Sequence, residues 1–183
     1  MKIFNYEALG MGTARGIYGG EFTPVVEKLI RYWLLKYPGE VLHLFSGNSR
    51  IGDVRVDIDN PNANQQMKVE TYLKWSQDNF EWVLLDPPYL VESHDLKGYK
   101  ISKAFSPNVP ARRLFQEWAQ KHTKRIIWLD LCAPLLEGFE REKLYFLLPG
   151  GYRNVRVLSI LRQSNLKNQL KKNYIIARLK DEK

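Results

Sequence analysis

Short apolar segments rich in β-branched residues alternate with longer segments of helical spacing, and this alternation limits the fold more than any other feature of the sequence. Two longer segments, 24–37 and 111–122, carry apolar residues at helical intervals, while 135–148 is ambiguous between helix and strand. Thr23 is suited to be the N-cap of the first helix, with Pro24 in its first turn. The predicted strands number seven and cover residues 41–45, 54–58, 67–69, 82–85, 126–129, 155–161 and 174–179. The fourth and fifth are almost continuously apolar, as in parallel strands covered on both faces, so we expect an α/β fold.

The size and composition of the chain indicate one globular unit. With 183 residues and no repeat or linker, residues 1–183 are expected to form a single domain with a sizeable core. No apolar run approaches the roughly 20 residues that span a bilayer, and the N-terminus lacks the features of a signal peptide. Cys132 is the only cysteine, which excludes an intrachain disulfide. We expect a cytoplasmic protein without membrane contact.

The positive charge is concentrated near the C-terminus. The formal net charge is +8, and residues 151–183 contain nine Lys and Arg against two acidic residues. A basic block on a nearly neutral remainder predicts contact with a polyanion, nucleic acid first. A solvated basic terminus is the alternative interpretation.

The sequence Asp86-Pro87-Pro88-Tyr89 directly follows the fourth predicted strand. It is therefore expected at the carboxyl end of a strand, where open α/β sheets bind their ligands. The two prolines fix the backbone and remove two N–H donors. A carboxylate, a fixed carbonyl and an aromatic face can together hold a planar ring that bears an exocyclic amine. The alternative is a tight turn in which Asp86 caps a helix and Tyr89 fills the core.

Three further segments follow predicted strands. Phe45-Ser46-Gly47 comes after the first strand, where glycine lets a ligand approach the backbone closely. Asp57 lies near the end of the second strand, where a carboxylate can accept hydrogen bonds from ribose hydroxyls. Glu70 follows the third strand in the same way. Each of these acids could equally be a solvated strand end.

Together and in this order, these residues resemble the class I S-adenosylmethionine-dependent methyltransferases, specifically the enzymes that methylate amino groups of adenine or cytosine in DNA. The resemblance spans roughly residues 20–180. It implies a seven-stranded, mostly parallel Rossmann-like sheet with an antiparallel last strand and helices on both faces. It also implies S-adenosylmethionine as the cofactor, with Asp86 among the residues at its binding site. The other implied cofactor-binding residues are Phe22, Thr23, Pro24, Phe45, Ser46, Gly47, Asp57 and Glu70.

The sequence departs from the family pattern at three points. Ser49 occupies the position of the second glycine of the usual Phe-x-Gly-x-Gly motif, so Gly47 and Gly52 are left to form the turn. Glu70 stands where the family more usually has Asp. No target-recognition domain is inserted, which favours a protein partner or a second copy of the chain as a source of target recognition.

The resemblance implies a role for each catalytic residue, namely Asp86, Pro87, Pro88 and Tyr89. Asp86 and the Pro87 carbonyl would accept hydrogen bonds from the target amine and aim its lone pair at the methyl group. Tyr89 would stack on a base extruded from the duplex. No metal is expected, because His43, His94 and His122 lack the spacing of a ligand set.

A basic connection follows the sixth predicted strand. If residues 155–161 run parallel to the other strands, this connection emerges at the ligand-binding edge of the sheet. It is then expected to contact nucleic-acid phosphates through Arg162, Lys167, Lys171 and Lys172.

Four functions stay open at this point. The leading expectation is methylation of adenine N6 in DNA, and methylation of cytosine N4 is an alternative within the same family. Methylation of guanine N2 in RNA is a third, because such enzymes are similarly short and have a similar tetrapeptide. The fourth is a catalytically idle nucleic-acid-binding subunit.

Overall fold

The computed structural model describes residues 6–11, 22–60, 62–88, 105, 108–149 and 154–164. These residues form eight strands and three helices. The helices are α1 (Pro24–Lys36), α2 (Val69–Trp75) and α3 (Val109–His122). The strands are β1 (Tyr6–Gly10), β2 (Val41–Leu44), β3 (Val54–Asp57), β4 (Gln65–Gln66), β5 (Phe80–Leu85), β6 (Thr123–Asp130), β7 (Phe139–Leu148) and β8 (Arg156–Gln163).

All eight strands belong to one mixed sheet with the order β1-β7-β8-β6-β5-β2-β3-β4. Five neighbouring pairs are parallel, and β8 is antiparallel to both β6 and β7. The expected α/β fold with a mostly parallel sheet is therefore confirmed. The expected number of seven strands is wrong for the described residues, which form eight.

The additional strands come from two regions without a clear local signal. β1 ends at Gly10, the first of five glycines in residues 10–20 of the sequence, and is held at the sheet edge by parallel pairing with β7. β7 occupies most of the ambiguous segment 135–148 and contains the charged run 140–143. Its pairing with β1 on one side and β8 on the other decides in favour of a strand. The seventh predicted strand, 174–179, lies outside the described residues.

Two predicted strands differ from the structure in position or direction. The third, at 67–69, is wrong: the strand is β4, two residues earlier, and α2 begins at Val69. The sixth, at 155–161, corresponds to β8, but its assumed parallel direction is wrong. Short apolar runs indicate where a strand forms, whereas the direction depends on pairing with residues that are distant in the sequence.

Helices cover both faces of the sheet, as expected. One core contains Val26, Ile30 and Trp33 of α1, packed with the β5 residues Trp82 and Leu84. The other core contains α2 and α3 and takes the alternate β5 residues, Val83 and Leu85. Successive strand side chains point to opposite faces, so a strand between two helical layers is apolar at every position.

The predicted helices 24–37 and 111–122 are confirmed as α1 and α3. Both begin with a proline in the first turn, where its missing N–H costs no hydrogen bond. The Asn108 side chain caps α3 by accepting a hydrogen bond from the Ala111 N–H at 3.2 Å. None of the helices in the described ranges has the length and apolar character needed to cross a bilayer.

Candidate functional site

Four parallel strands bring candidate residues to one edge of the sheet. The strands β3, β2, β5 and β6 are neighbours in this order, so their carboxyl ends lie side by side. The chain leaves β2 towards β3 and β4, and later returns to place β5 on the other side of β2. Ligands of open α/β sheets bind in the crevice that such a reversal opens outside the carboxyl ends. The segments after β2 and β5 therefore line the expected crevice.

The turn after β2 has an unusual backbone conformation. Phe45 has φ 59° and Gly47 has φ 48°, so two residues of three adopt the left-handed region. This conformation is uncommon for a residue other than glycine, and it marks Phe45 as a place where surrounding contacts dictate the backbone. The Phe45 ring packs against Phe105 at a centroid distance of 5.0 Å. The Ser46 N–H donates to the Val56 carbonyl at 3.2 Å, which ties the turn to β3.

Asp57 organises this turn from the end of β3. One carboxylate oxygen, Oδ2, accepts a hydrogen bond from the Gly47 N–H at 2.9 Å. The other, Oδ1, accepts from the N–H groups of Asp59 at 3.0 Å and Asn60 at 3.2 Å. A carboxylate has about four acceptor positions, so at least one stays available for a ligand hydroxyl. The predicted acid is thus brought together with the predicted turn.

The start of α1 lies at the same edge. The Phe22 ring stacks on His43, the third residue of β2, with 5.6 Å between centroids and 12° between planes. At the other end of α1, the Tyr37 carbonyl accepts a hydrogen bond from Trp82 Nε1 near the start of β5. Thr23 and Pro24 therefore face the crevice edge, whereas the C-terminus of α1 lies at the opposite edge.

Several buried polar atoms near this edge lack partners. Thr23 Oγ1, Ser46 Oγ and Asn60 Nδ2 are buried and form no hydrogen bond within the described part of the chain. Ser46 directly precedes Gly47, whose N–H donates to Asp57, and the N–H of Asn60 itself donates to Asp57. Buried polar atoms are nearly always hydrogen-bonded in native proteins. A ligand with several hydroxyl and amine groups would satisfy them, so these residues fit the predicted cofactor.

His43 is buried in β2 and acts as a neutral side chain. The pKa of His43 is lowered to about 4, chiefly by burial. A hydrogen bond to the Ile51 carbonyl opposes this change, and the charge of Arg55 adds to it. The ring Nδ1 lies 2.9 Å from the Ile51 carbonyl, which identifies Nδ1 as the protonated nitrogen. Nε2 has no partner among the described residues. His43 is therefore a buried core residue of β2.

Asp86 follows β5 and has a perturbed acidity. Burial raises the pKa of Asp86 to about 6; the charge of Arg156 opposes this, and the charge of Asp130 adds to it. Asp130 ends β6, beside β5, and Arg156 begins the antiparallel β8, so both lie at the carboxyl edge. Two carboxylates and one guanidinium therefore converge where three strands meet this edge. A carboxyl group with a pKa as strongly raised as that of Asp86 is typical of functional sites.

The two prolines after Asp86 are held in place by a distant residue. Pro87 is buried, and the Pro88 carbonyl accepts a hydrogen bond from the Phe105 N–H at 2.8 Å. The Pro88 carbonyl is therefore already bonded, whereas no described residue donates to the Pro87 carbonyl. Tyr89, the predicted stacking residue, lies outside the described residues. The proline backbone is thus consistent with the predicted acceptor role of Pro87.

Glu70 is placed differently from its prediction. It lies in the first turn of α2, and not at the end of a strand. The Met67 N–H donates to the Asp57 carbonyl, so α2 begins near the same edge. The helix dipole stabilises a carboxylate in the first turn, so the position of Glu70 has an explanation that needs no ligand. Its role as a cofactor contact stays a prediction.

Arg162 lies at the opposite edge of the sheet. Because β8 is antiparallel, Arg162 pairs in register with Arg125, near the start of β6. The Arg162 Nε donates to Glu140 Oε1 at 2.7 Å, which forms an ion pair. The argument that placed this side chain beside the ligand is therefore wrong. Lys167, Lys171 and Lys172 lie outside the described residues, and their contact with nucleic acid stays a prediction.

The sequence interpretation missed the roles of Asp130 and Arg156. Asp130 follows the apolar run 126–129 just as Asp86 follows 82–85, so the same signal was present. In the sequence Arg156 is only one of the nine basic residues in 151–183. Its place at the carboxyl edge depends on the antiparallel direction of β8, for which the sequence analysis assumes a parallel strand. In the described ranges, no cluster of three His, Cys, Asp or Glu side chains could hold a metal ion.

Comparison with known proteins adds no family assignment. A scan against protein-family models finds no match to this chain, and a search of curated proteins finds none either.

Proposed function

We propose that this protein transfers a methyl group from S-adenosylmethionine to the exocyclic amine of a nucleobase, with adenine N6 in DNA as the favoured target. The observation that carries the proposal is the convergence of two segments at the crevice between β2 and β5. One is the left-handed turn held by Asp57, and the other is Asp86 with its raised pKa. Their sequence motifs resemble those of the same enzyme family, in the same order.

The strand order supports the finer fold assignment. Counted from β2, the first five strands have the spatial order 3-2-1-4-5, which is the order of doubly wound dinucleotide-binding sheets. We propose that β2 to β8 form a Rossmann-like methyltransferase sheet and that β1 is an addition at its edge. The antiparallel β8 is then the counterpart of the expected antiparallel last strand.

The turn and its surroundings would hold the cofactor. Asp57 would accept a hydrogen bond from a ribose hydroxyl at its remaining acceptor position, while its other contacts keep the turn rigid. Thr23 Oγ1 and Ser46 Oγ would bond the polar groups of the same ligand. When bound, S-adenosylmethionine supplies an activated methyl group on a positively charged sulfur.

Asp86 would bind and orient the target amine. At neutral pH a carboxylate with a pKa of about 6 is mostly ionised, so Asp86 would accept a hydrogen bond from the amine. The amine nitrogen loses a proton when it gains the methyl group, and the Asp86 carboxylate would take that proton. A pKa near the working pH suits such transfer. The Pro87 carbonyl would accept the second amine hydrogen.

Nucleic acid is the proposed substrate. A protein partner or a second copy of the chain would contribute recognition of an extended target sequence, without being required for methyl transfer itself. The net charge of +8 favours a polyanion. A single cysteine suits a reducing compartment such as the cytoplasm.

The decisive experiment is a methyl-transfer assay. Purified protein is incubated with methyl-labelled S-adenosylmethionine and either DNA or RNA, and the products are digested to nucleosides. We expect N6-methyl-2′-deoxyadenosine from DNA, and a loss of roughly a thousandfold or more with Asp86→Ala. The matched control is Asp78→Ala, because Asp78 is exposed and precedes β5 at the opposite edge.

The nucleoside identifies the alternatives directly. Label in cytosine N4 or in RNA guanine N2 would replace adenine as the target while keeping the chemistry. No transfer to either polymer by a folded protein that binds S-adenosylmethionine would overturn the proposal in favour of an idle subunit.

A further inference from the structure

A groove of about 240 Å³ lies beside the candidate site, on the face of the sheet covered by α3. One wall is the first part of α3, and the other is the connection 131–138 between β6 and β7. Trp128 of β6 forms part of its base and pairs in register with Leu85, the residue before Asp86. The groove therefore lies one strand away from Asp86, at a point just below the carboxyl edge.

The groove contains two arginines whose side chains form no ion pair with the part of the chain that the structure describes. Arg112 and Arg113 both line it, and neither guanidinium group forms a hydrogen bond or an ion pair with a described residue. Arg112 Nε is buried and has no acceptor within the described ranges. A charged donor that is buried without a partner lowers the stability of the fold much more than an exposed one does. We therefore expect an acceptor at this place. The guanidinium fork fits the geometry of phosphate oxygens.

Two neighbouring side chains, Gln116 and Arg141, add a hydrogen-bond donor and a further positive charge around the groove. Gln116 lines it and uses its amide oxygen to accept the Glu137 N–H at 3.3 Å, which leaves its NH2 group as a donor. Arg141 holds the connection 131–138 through the Ala133 and Pro134 carbonyls. Burial and, next, the charge of Asp130 raise the pKa of the Cys132 thiol, and the charges of Arg112 and Arg141 oppose this rise. Both guanidinium groups therefore lie around the same short connection.

The size and rim of the groove indicate what can occupy it. Its volume is below the 300–1,000 Å³ that is usual for sites of whole cofactors or drug-sized ligands. A single phosphate with part of its sugar is a better match for two guanidinium groups in this space. Val109 and Leu135, both about half exposed, flank the arginines and can contact the sugar.

We propose that this groove binds a backbone phosphate of the nucleic-acid substrate through Arg112 and Arg113, near the nucleotide whose base reaches Asp86. The proposal rests on the proposed function, because it assigns the groove to the same substrate. It replaces the contact that was expected from Arg162, which lies at the opposite edge.

The test is a salt titration of nucleic-acid binding, measured by fluorescence anisotropy with labelled duplex and single-stranded oligonucleotides. We expect Arg112→Gln/Arg113→Gln to weaken binding about tenfold and to flatten the slope of log affinity against log salt by about 0.7–0.9 for the phosphate lost. The variant Arg112→Lys/Arg113→Lys keeps both charges and should retain the slope. Binding of S-adenosylmethionine should be the same in all of them.

The matched control is Lys74→Gln/Lys121→Gln, which removes the same charge from exposed residues in the last turns of α2 and α3. It should leave the slope within error of wild type. If Arg112→Gln disturbs folding, the single variant Arg113→Gln serves instead, because Arg113 is exposed.

The outcomes separate the two proposals. Equal slopes and affinities for wild type and the Arg112/Arg113 variant would overturn the phosphate site while methyl transfer still supports the function. A wild-type protein that binds neither oligonucleotide in a salt-dependent way would overturn both.

Discussion

Asp86 is under opposing demands, because the burial that would suit it for the proposed proton transfer also makes its charge costly to the fold. Folding raises the pKa of Asp86 from its ordinary value of 3.8 to about 6, chiefly through desolvation. The folded protein therefore binds this proton more tightly than the unfolded chain. The contribution to the free energy of unfolding is largest below about pH 4 and is lost as the pH rises through about 6.

Replacing the carboxylate with an amide should consequently stabilise the protein. We expect Asp86→Asn to raise the free energy of unfolding at pH 8 by up to about 3 kcal/mol, since one pKa unit corresponds to about 1.4 kcal/mol. The gain should shrink towards zero by about pH 4. Urea denaturation of both proteins from pH 4 to 8 measures it. His43 titrates in both, so the difference isolates Asp86, and a gain that stays constant with pH would contradict the raised pKa.

The pH dependence of methyl transfer should follow the same group. We expect the rate to fall below about pH 6, where Asp86 becomes protonated and loses its acceptor role. Arg156→Gln removes a charge that lowers the pKa of Asp86, so it should move this limb to higher pH. Asp130→Asn removes a charge that raises that pKa and should move the limb to lower pH. The measurement is the methyl-transfer rate as a function of pH for the wild type, Arg156→Gln and Asp130→Asn. Limbs that do not move, or that move in the same direction in both variants, would show that these neighbours do not act through Asp86.

At the scale of elements, the connection from β2 to β3 depends on a close approach of backbone to side chain. Gly52 has φ +106°, and a Cβ at this position would lie 3.0 Å from the Cβ of His43 and 3.3 Å from the Val41 carbonyl. The turn that carries Gly47 leads directly into this segment. Strain at Gly52 would therefore disturb both β2 and the site.

We expect Gly52→Ala to lower the free energy of unfolding by about 1–3 kcal/mol, because alanine must adopt a strained backbone in a space that is already occupied. The matched control is Gly10→Ala, at the end of β1, where nothing lies within 4 Å of the added Cβ. It should change stability by no more than about 0.5 kcal/mol. Thermal denaturation compares the two, and equal values would show that Gly52 is not constrained.

The elements also differ in how far local sequence predicted them. Residues 80–85 and 123–130 form strands where apolar runs indicated strands, because burial on both faces requires apolar residues at every position. β7 has four consecutive charged residues, Glu140 to Lys143, which no local rule assigns to a strand. It forms because β1 and β8 supply hydrogen-bonding partners on both sides.

At the scale of the whole molecule, ligand binding at the β2–β5 crevice should stabilise the fold. A ligand that binds only the folded state at a hundred times its Kd adds about 2.7 kcal/mol, which for a domain of this size raises Tm by about 5–10 °C. We expect this shift with S-adenosylmethionine and a much smaller one with ATP. In Asp57→Ala the shift should be largely lost, whereas Asp78→Ala should keep it.

The unliganded Tm of Asp57→Ala separates two roles of this carboxylate. Loss of its three backbone hydrogen bonds should lower the unliganded Tm as well. A lower unliganded Tm with an unchanged ligand shift would limit Asp57 to the turn and remove it from the binding site.

The sequence by itself determined the α/β class, the helices α1 and α3, and the candidate residues that follow β2, β3 and β5. These depend on local properties: apolar spacing, the prolines that begin helices, and the position of Asp57 and Asp86 just after apolar runs. Only the tertiary structure decided the direction of β8, which moved Arg162 away from the crevice and brought Arg156 to Asp86 and Asp130. It also decided the bond from Phe105 to Pro88 and the groove of Arg112 and Arg113. Each of these features joins segments that are far apart in the chain. Such contacts depend on which strands pair and in which direction, and a local sequence pattern carries no signal for either.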